Sequence, residues 1–148
     1  MHIQIDTQDF DIQEQYANLS TADCTGAVVI FTGLVRPQGE HGQLLAMTLE
    51  HYPGMTETAI AAIVEEAKQR WSTTAVRVIH RVGRLLPGDN IVFVGVSATH
   101  RASAFAACEF IMDYLKTRAP FWKKEITADG EFWIAQKHKD TEASQRWQ

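Results

Sequence analysis

Only two cysteines occur in the 148 residues, Cys24 and Cys108, and neither belongs to a CxxC pair or a zinc-finger spacing. That excludes a disulfide scaffold and a cysteine-rich zinc site, and it fits a reducing compartment. No stretch approaches the ~18 consecutive apolar residues of a membrane-spanning helix. The N-terminus carries Asp6, Asp9, Asp11 and Glu14 where a secretory signal would have its apolar run. The expectation is a soluble, cytoplasmic protein. GxGxxG, Walker A and GxSxG are all absent, which removes the usual signatures of dinucleotide binding, nucleotide hydrolysis and serine hydrolysis. The six histidines form neither HxH nor HExxH, so zinc hydrolysis has no support. There is no excess of positive charge either. A formal net charge of −4 argues against a surface that attracts nucleic acid or anionic lipid, and any anion site must therefore be local.

What is present is an ordinary globular composition, with 45% hydrophobic and 22% charged residues, in a length that suits one domain over residues 1–148 with a polar tail from about 137. A short β-like start and a small helix at 12–19 precede residues 26–35 (GAVVIFTGLV), whose β-branched density predicts a buried strand. Residues 36–42 (RPQGEHG) hold one proline and two glycines and predict a mobile loop. A strand follows over 43–52. After the Pro53-Gly54 turn, Ile60, Ile63, Val64, Ala67 and Trp71 recur at helical spacing, one apolar stripe. Strands at 75–83 and 90–98, joined across Pro87-Gly88-Asp89, read as a hairpin. Thr99 can cap a second helix, whose stripe is Ala104, Cys108, Ile111 and Leu115 flanked by Phe105 and Met112, and which Pro120 stops. Two short strands, FWKKEI and EFWIAQ, follow. The order predicts an α+β fold with a mainly antiparallel sheet and two main helices.

The most informative charge feature is LKTRAPFWKK, residues 115–124, with Lys116, Arg118, Lys123 and Lys124 and no acid. It reads either as a solvated helix end, where cations meet the dipole, or as an anion or acid/base site among Tyr114, Phe121 and Trp122. At the other end of the same helix, SATHR sets His100 and Arg101 beside free backbone N–H groups, an arrangement that suits phosphate and that is also met in a simple cap. Arg36 opens the glycine-containing loop, from where a side chain can close over a ligand. Cys108 sits on the apolar stripe and reads as core; Cys24 has no activating partner in sequence.

These residues carry a resemblance. FTGLVR, TLEHYPGMTE, HRVGRLLPGDNIVFVGVSATHR and FIMDYLKTRAPFWKKE, in order over about residues 26–133, resemble the large, catalytic subunit of molybdopterin synthase, the MoaE family. The resemblance implies an α/β hammerhead fold. It implies a reaction in which cyclic pyranopterin monophosphate becomes molybdopterin by gaining two sulfurs as a dithiolene, with no cofactor and no metal. The donor would be a small ubiquitin-like sulfur-carrier subunit ending in a Gly-Gly thiocarboxylate, docked on a homodimer to make a heterotetramer. By position, Lys116 and Lys123 would be the catalytic lysines, the first at the thiocarboxylate terminus and the second on the pterin side. His100 and Arg101 would bind phosphate across the dimer interface. Phe31, Leu34, Val35, Arg36, Met112, Lys124 and Glu125 would line the pocket. A different class of reading, a noncatalytic module that binds a phosphorylated ligand through His100, Arg101 and Arg36, predicts binding without turnover.

Overall fold

A computed structural model describes residues 1–135 and 138–148. The first strand, β1 (His2–Asp6), is followed by the helix α1 (Ile12–Ser20), which starts where the Asp11 carboxylate accepts from the backbone N–H groups of Gln13 and Glu14 at 2.9 and 3.3 Å. The β-branched run forms β2 (Ala27–Leu34). Two-residue strands β3 (Gln38–Gly39) and β4 (Gly42–Gln43) pair with each other before β5 (Ala46–His51). Helix α2 (Met55–Arg70) begins with the Glu57 carboxylate accepting from the Gly54 N–H, the acidic limb of a capping box. Then come β6 (Ala75–Arg81), β7 (Gly83–Leu85), β8 (Asn90–Ala98), helix α3 (Arg101–Leu115), β9 (Phe121–Thr127), β10 (Gly130–Ile134) and α4 (His138–Gln145).

The strands make two four-stranded sheets. One has the order β1-β6-β8-β2 and the other β10-β9-β5-β7; every pairing is antiparallel except β1 with β6. The mixed α/β class, the dominance of antiparallel pairing and the two long helices agree with the sequence-based expectation. β6 and β8 do pair, from Ala75 opposite Ser97 to His80 opposite Val92, but their connection is no simple turn. The chain leaves the first sheet at Arg81, and Gly83, at a φ of 87°, lets it swing into the second sheet as β7.

The first sheet is covered on both faces. Val76, Val78, Val92, Val94 and Val96 pack under the expected α2 stripe of Ile60, Ile63, Val64 and Ala67 and under α3. On the other face Leu19 of α1 meets Ile79 and Phe93. Gly95 permits that approach, because a Cβ there would overlap the Leu19 side chain. The α3 stripe of Ala104, Cys108, Ile111 and Leu115 is buried, but its other flank is Ala107, Phe110 and Tyr114; Phe105 faces outward, 61% exposed. Nor does Thr99 cap the helix. Its hydroxyl donates to the Cys24 carbonyl at 3.0 Å, and His100 is the N-cap residue.

The start of the polar tail near residue 137 lies outside the described residues. Further on the chain is anchored to α3: Trp147 donates its indole N–H to Asp113 at 2.6 Å and packs edge-on against Trp71 and Phe110, while Arg146 pairs with Glu109 and Asp113. Among the described residues no helix is long and apolar enough to cross a membrane.

Candidate active site

A cleft of ≈ 800 Å³ opens where the two sheets meet the C-terminal end of α3. Strand β2 supplies Phe31 and Leu34, and Val35 and Arg36 follow directly. Helix α3 supplies Met112, and Lys116 is its C-cap residue. Met112 and Lys116 are four apart and share a helix face, as helical geometry requires. β9 supplies Phe121, Lys123 and Glu125, the alternate positions of one strand face. Arg36, Lys116 and Lys123 thus bring three cations from three separate segments to one cleft.

The basic stretch is sorted by local geometry. Arg118 turns away to Glu66 at 2.7 Å and lies over the Tyr114 ring. Lys124, expected in the pocket, is not among its lining residues. Strand alternation puts it on the opposite face from Lys123, where it pairs with Glu131 at 3.3 Å and lies 5.3 Å from the Trp133 ring centre. His100 and Arg101 are also absent from this cleft, being exposed at the N-terminal end of α3. From position 100 to 116 a helix rises roughly 24 Å, so the two ends of one α3 serve different places.

Glu125 lines the cleft, yet its side chain works on the chain itself. Only 2% exposed, it accepts backbone hydrogen bonds from Glu40 at 3.0 and 3.2 Å and from His41 at 3.4 Å. A Cβ on Gly39 would overlap this carboxylate. His41 stacks on Phe132 with ring centres 4.1 Å apart. Residues 36–42, expected as a mobile loop, are therefore a pinned hairpin that forms one wall of the cleft. A buried carboxylate that accepts from two backbone amides is costly to remove. Glu125→Ala is expected to destabilise the protein by about 2–3 kcal/mol and to speed hydrogen exchange at the Glu40 and His41 amides. Exchange rates unchanged from wild type would show that the carboxylate does not hold the hairpin.

One cleft residue escaped the sequence reading. His80 ends the β6 series Val76, Val78, His80, in which the first two positions enter the core. It belongs to no metal-binding spacing; its signal in the sequence is a polar ring in an apolar strand alternation. It stacks on Phe121 at 3.9 Å. Burial chiefly, then the nearby positive charge of Lys116 and the neighbouring His51, hold its pKa down at about 4, against a Nδ1 hydrogen bond to the Arg81 carbonyl that acts the other way.

The folded ring resists a proton that the unfolded chain accepts near the ordinary value of 6.5. Stability is therefore complete above that pH and falls between about 6.5 and about 4. At ~1.4 kcal/mol per unit the loss reaches at most about 3.5 kcal/mol. Urea midpoints measured across that window should fall in the wild type and stay flatter in His80→Phe; identical slopes would remove His80 as the cause.

Cys108 is buried on α3 with its thiol directed at the Val94 carbonyl, 3.7 Å away, and burial pushes its pKa up to about 12. It is a core residue and a poor nucleophile. Cys24 is exposed and lies outside the cleft lining.

Fold and cleft together define an α+β protein with a cleft at the junction of two sheets, lined by two lysines and an arginine among apolar and acidic side chains. Comparison with known proteins is specific. The family model described as "MoaE protein" matches residues 5–118, and the chain belongs to that family. It is 54% identical over 145 residues to the molybdopterin synthase catalytic subunit of Escherichia coli K12, covering 98% of this chain and 97% of that one. To the protein of the same name from Cereibacter sphaeroides it is 62% identical over 122 residues, 82% of each chain. A solved structure of the molybdopterin biosynthesis MoaE protein from Burkholderia ambifaria superposes with a TM-score of 0.83 at 51% identity, covering 99% of this chain and 98% of that one.

Proposed function

We propose that this chain is the catalytic subunit of a molybdopterin synthase, a sulfurtransferase that builds the dithiolene of molybdopterin on a cyclic pyranopterin monophosphate. The observation that carries the reading is the convergence of Lys116, from the end of α3, and Lys123, from β9, in one cleft with Arg36. Two anions must meet for this chemistry, a phosphorylated pterin and a thiocarboxylate. Three cations in a partly apolar cleft favour that meeting, because charges attract more strongly where water is excluded.

The sulfur comes from outside the chain. Cys108 is buried with a raised pKa and Cys24 lies away from the cleft, so neither is placed to carry it. A small ubiquitin-like subunit with a C-terminal Gly-Gly thiocarboxylate supplies it, its tail entering the cleft because glycines pass where a Cβ would clash. The thiocarboxylate sulfur attacks an oxygen-bearing carbon of the pterin side chain, the new C–S bond replacing a C–O bond whose oxygen departs with the phosphate as the cyclic ester opens, and an acyl–sulfur link remains. Water then splits that link, leaving a carboxylate on the partner and the sulfur on the pterin. A second thiocarboxylate repeats the attack at the adjacent carbon, whose oxygen leaves as water. Lys116 stabilises charge or moves a proton at the thiocarboxylate end, and Lys123 acts on the pterin side. Phe31 and Met112 offer the apolar surface for the ring. His100 and Arg101, at the far end of α3, hold phosphate in the cleft of a second copy.

The test is turnover with purified, thiocarboxylated small subunit and the cyclic pterin phosphate. Dithiolene product is expected; tight pterin binding with no product would establish the noncatalytic binding module instead. A chain carrying Cys24→Ser and Cys108→Ala should still make product, with some loss of stability from the core position. An obligatory persulfide on either cysteine would reverse the assignment of the sulfur source.

A further inference from the structure

His80 lines the cleft and has no part in the reaction as assigned above, yet its setting is more tightly determined than a core position requires. Its ring is stacked on Phe121 with centres 3.9 Å apart and planes 19° from parallel, which fixes the plane. Its Nδ1 lies 2.8 Å from the Arg81 carbonyl oxygen. A carbonyl oxygen can only accept, so Nδ1 carries the proton and Nε2 keeps a bare lone pair. The second-nitrogen bond thus selects the tautomer, as it does for many functional histidines.

The surroundings keep the ring in that state. Burial disfavours the imidazolium most, and two positive or potentially positive groups add to it: Lys116 at the end of α3, and His51 on β5, itself 3.6 Å from Glu57 of α2. Phe121 of β9 covers one ring face, and Ile5 and Val92 stand opposite His80 on the flanking strands. Lys123 lines the same cleft from β9. The ring is therefore an acceptor throughout the physiological range, facing a cleft whose other side chains include two lysines.

We propose that His80 is a positioning residue for Lys116, its fixed Nε2 accepting from the lysine amino group and orienting that group toward the end of the incoming thiocarboxylate tail. This rests on the molybdopterin synthase reading. The chemistry explains why an imidazole suits the place. A carboxylate at that point would neutralise the ammonium and hold it away from an anionic tail, whereas a neutral acceptor orients the group and leaves its charge available. Lys116 rides on the last turn of a helix with a long flexible stem, and a single acceptor on a rigid strand removes much of that freedom.

Two variants separate acceptor from packing. His80→Phe keeps the ring stack and removes the acceptor; His80→Gln gives up the stack and returns an oxygen near the Nε2 position. With thiocarboxylated partner, His80→Phe is expected to slow sulfur transfer about tenfold, the worth of one hydrogen bond to a charged group, with KM for the pterin phosphate little changed and His80→Gln recovering most of the loss. Wild-type rates in His80→Phe, or equal slowing in both variants, would overturn the proposal. A second readout needs no turnover. Nitrogen NMR of the intact chain should show His80 as the Nδ1–H tautomer, and its titration midpoint should rise in Lys116→Ala, where the opposing charge is gone. An Nε2–H tautomer or an unmoved midpoint would also overturn it. Wild-type chain that makes no dithiolene while the NMR coupling holds would instead defeat the functional reading and leave the pairing intact.

Discussion

A chain carrying Lys116→Ala should fold normally and transfer sulfur at least about a hundredfold more slowly, the cost typical of removing one group that stabilises charge in a transition state. The fold should survive because the residue is an exposed helix C-cap, where a cation contributes only about 0.3–1 kcal/mol through the dipole. Lys116→Arg is the sharper probe. Arginine keeps the charge and cannot release a proton near neutral pH. Full activity in Lys116→Arg would leave electrostatics as the whole role, while an inactive, folded variant would point to proton transfer or to the loss of an amine's compact geometry. Near-normal turnover in a folded Lys116→Ala would remove the residue from the chemistry.

Activity should return when two dead chains are mixed. Arg101 lies at the opposite end of α3 from Lys116, roughly 24 Å along the axis, and only the Lys116 end lines the cleft. In the proposed homodimer, the Arg101 end of one helix serves the Lys116 end of the other. Arg101→Ala and Lys116→Ala homodimers should each be inactive, but a mixed dimer contains one site with neither change and one with both. About half of wild-type activity per dimer is expected from such a shared site. Verified mixed dimers that remain as inactive as their parents would require phosphate to be held within one chain.

How far the sequence could be read depended on whether a residue's place was set locally. The α2 stripe was legible because Ile60, Ile63, Val64 and Ala67 repeat at a period that only one face of a helix satisfies, and those residues are the buried ones. The α3 stripe was half legible: its Ala104, Cys108, Ile111 and Leu115 are buried, but Phe105 on the expected flank is exposed, and the buried aromatics Phe110 and Tyr114 lie on the opposite flank. Residues 36–42 read as a mobile loop because one proline and two glycines are all the local sequence offers. The group that pins them, Glu125, lies about eighty residues further on, a contact no local pattern announces. Lys123 and Lys124 were grouped by charge, although the period of two already places adjacent residues on opposite faces once FWKKEI is taken as a strand. Gly83 hid a change of sheet inside what looked like one hairpin arm. His80 forms no metal-binding spacing with another histidine, and its position is set by the stack on Phe121, about forty residues further along the chain.

In the proposed reaction, sulfur passes from a partner's thiocarboxylate to a pterin phosphate in the cleft between Lys116 and Lys123. Its most direct test is to load the small subunit with an isotopically heavy thiocarboxylate, run the reaction to completion with this chain, and weigh the dithiolene product by mass spectrometry. Heavy sulfur at both dithiolene positions, with the partner recovered as its carboxylate, is the predicted result. Product carrying light sulfur, or a pterin that leaves the cleft without sulfur, would contradict it.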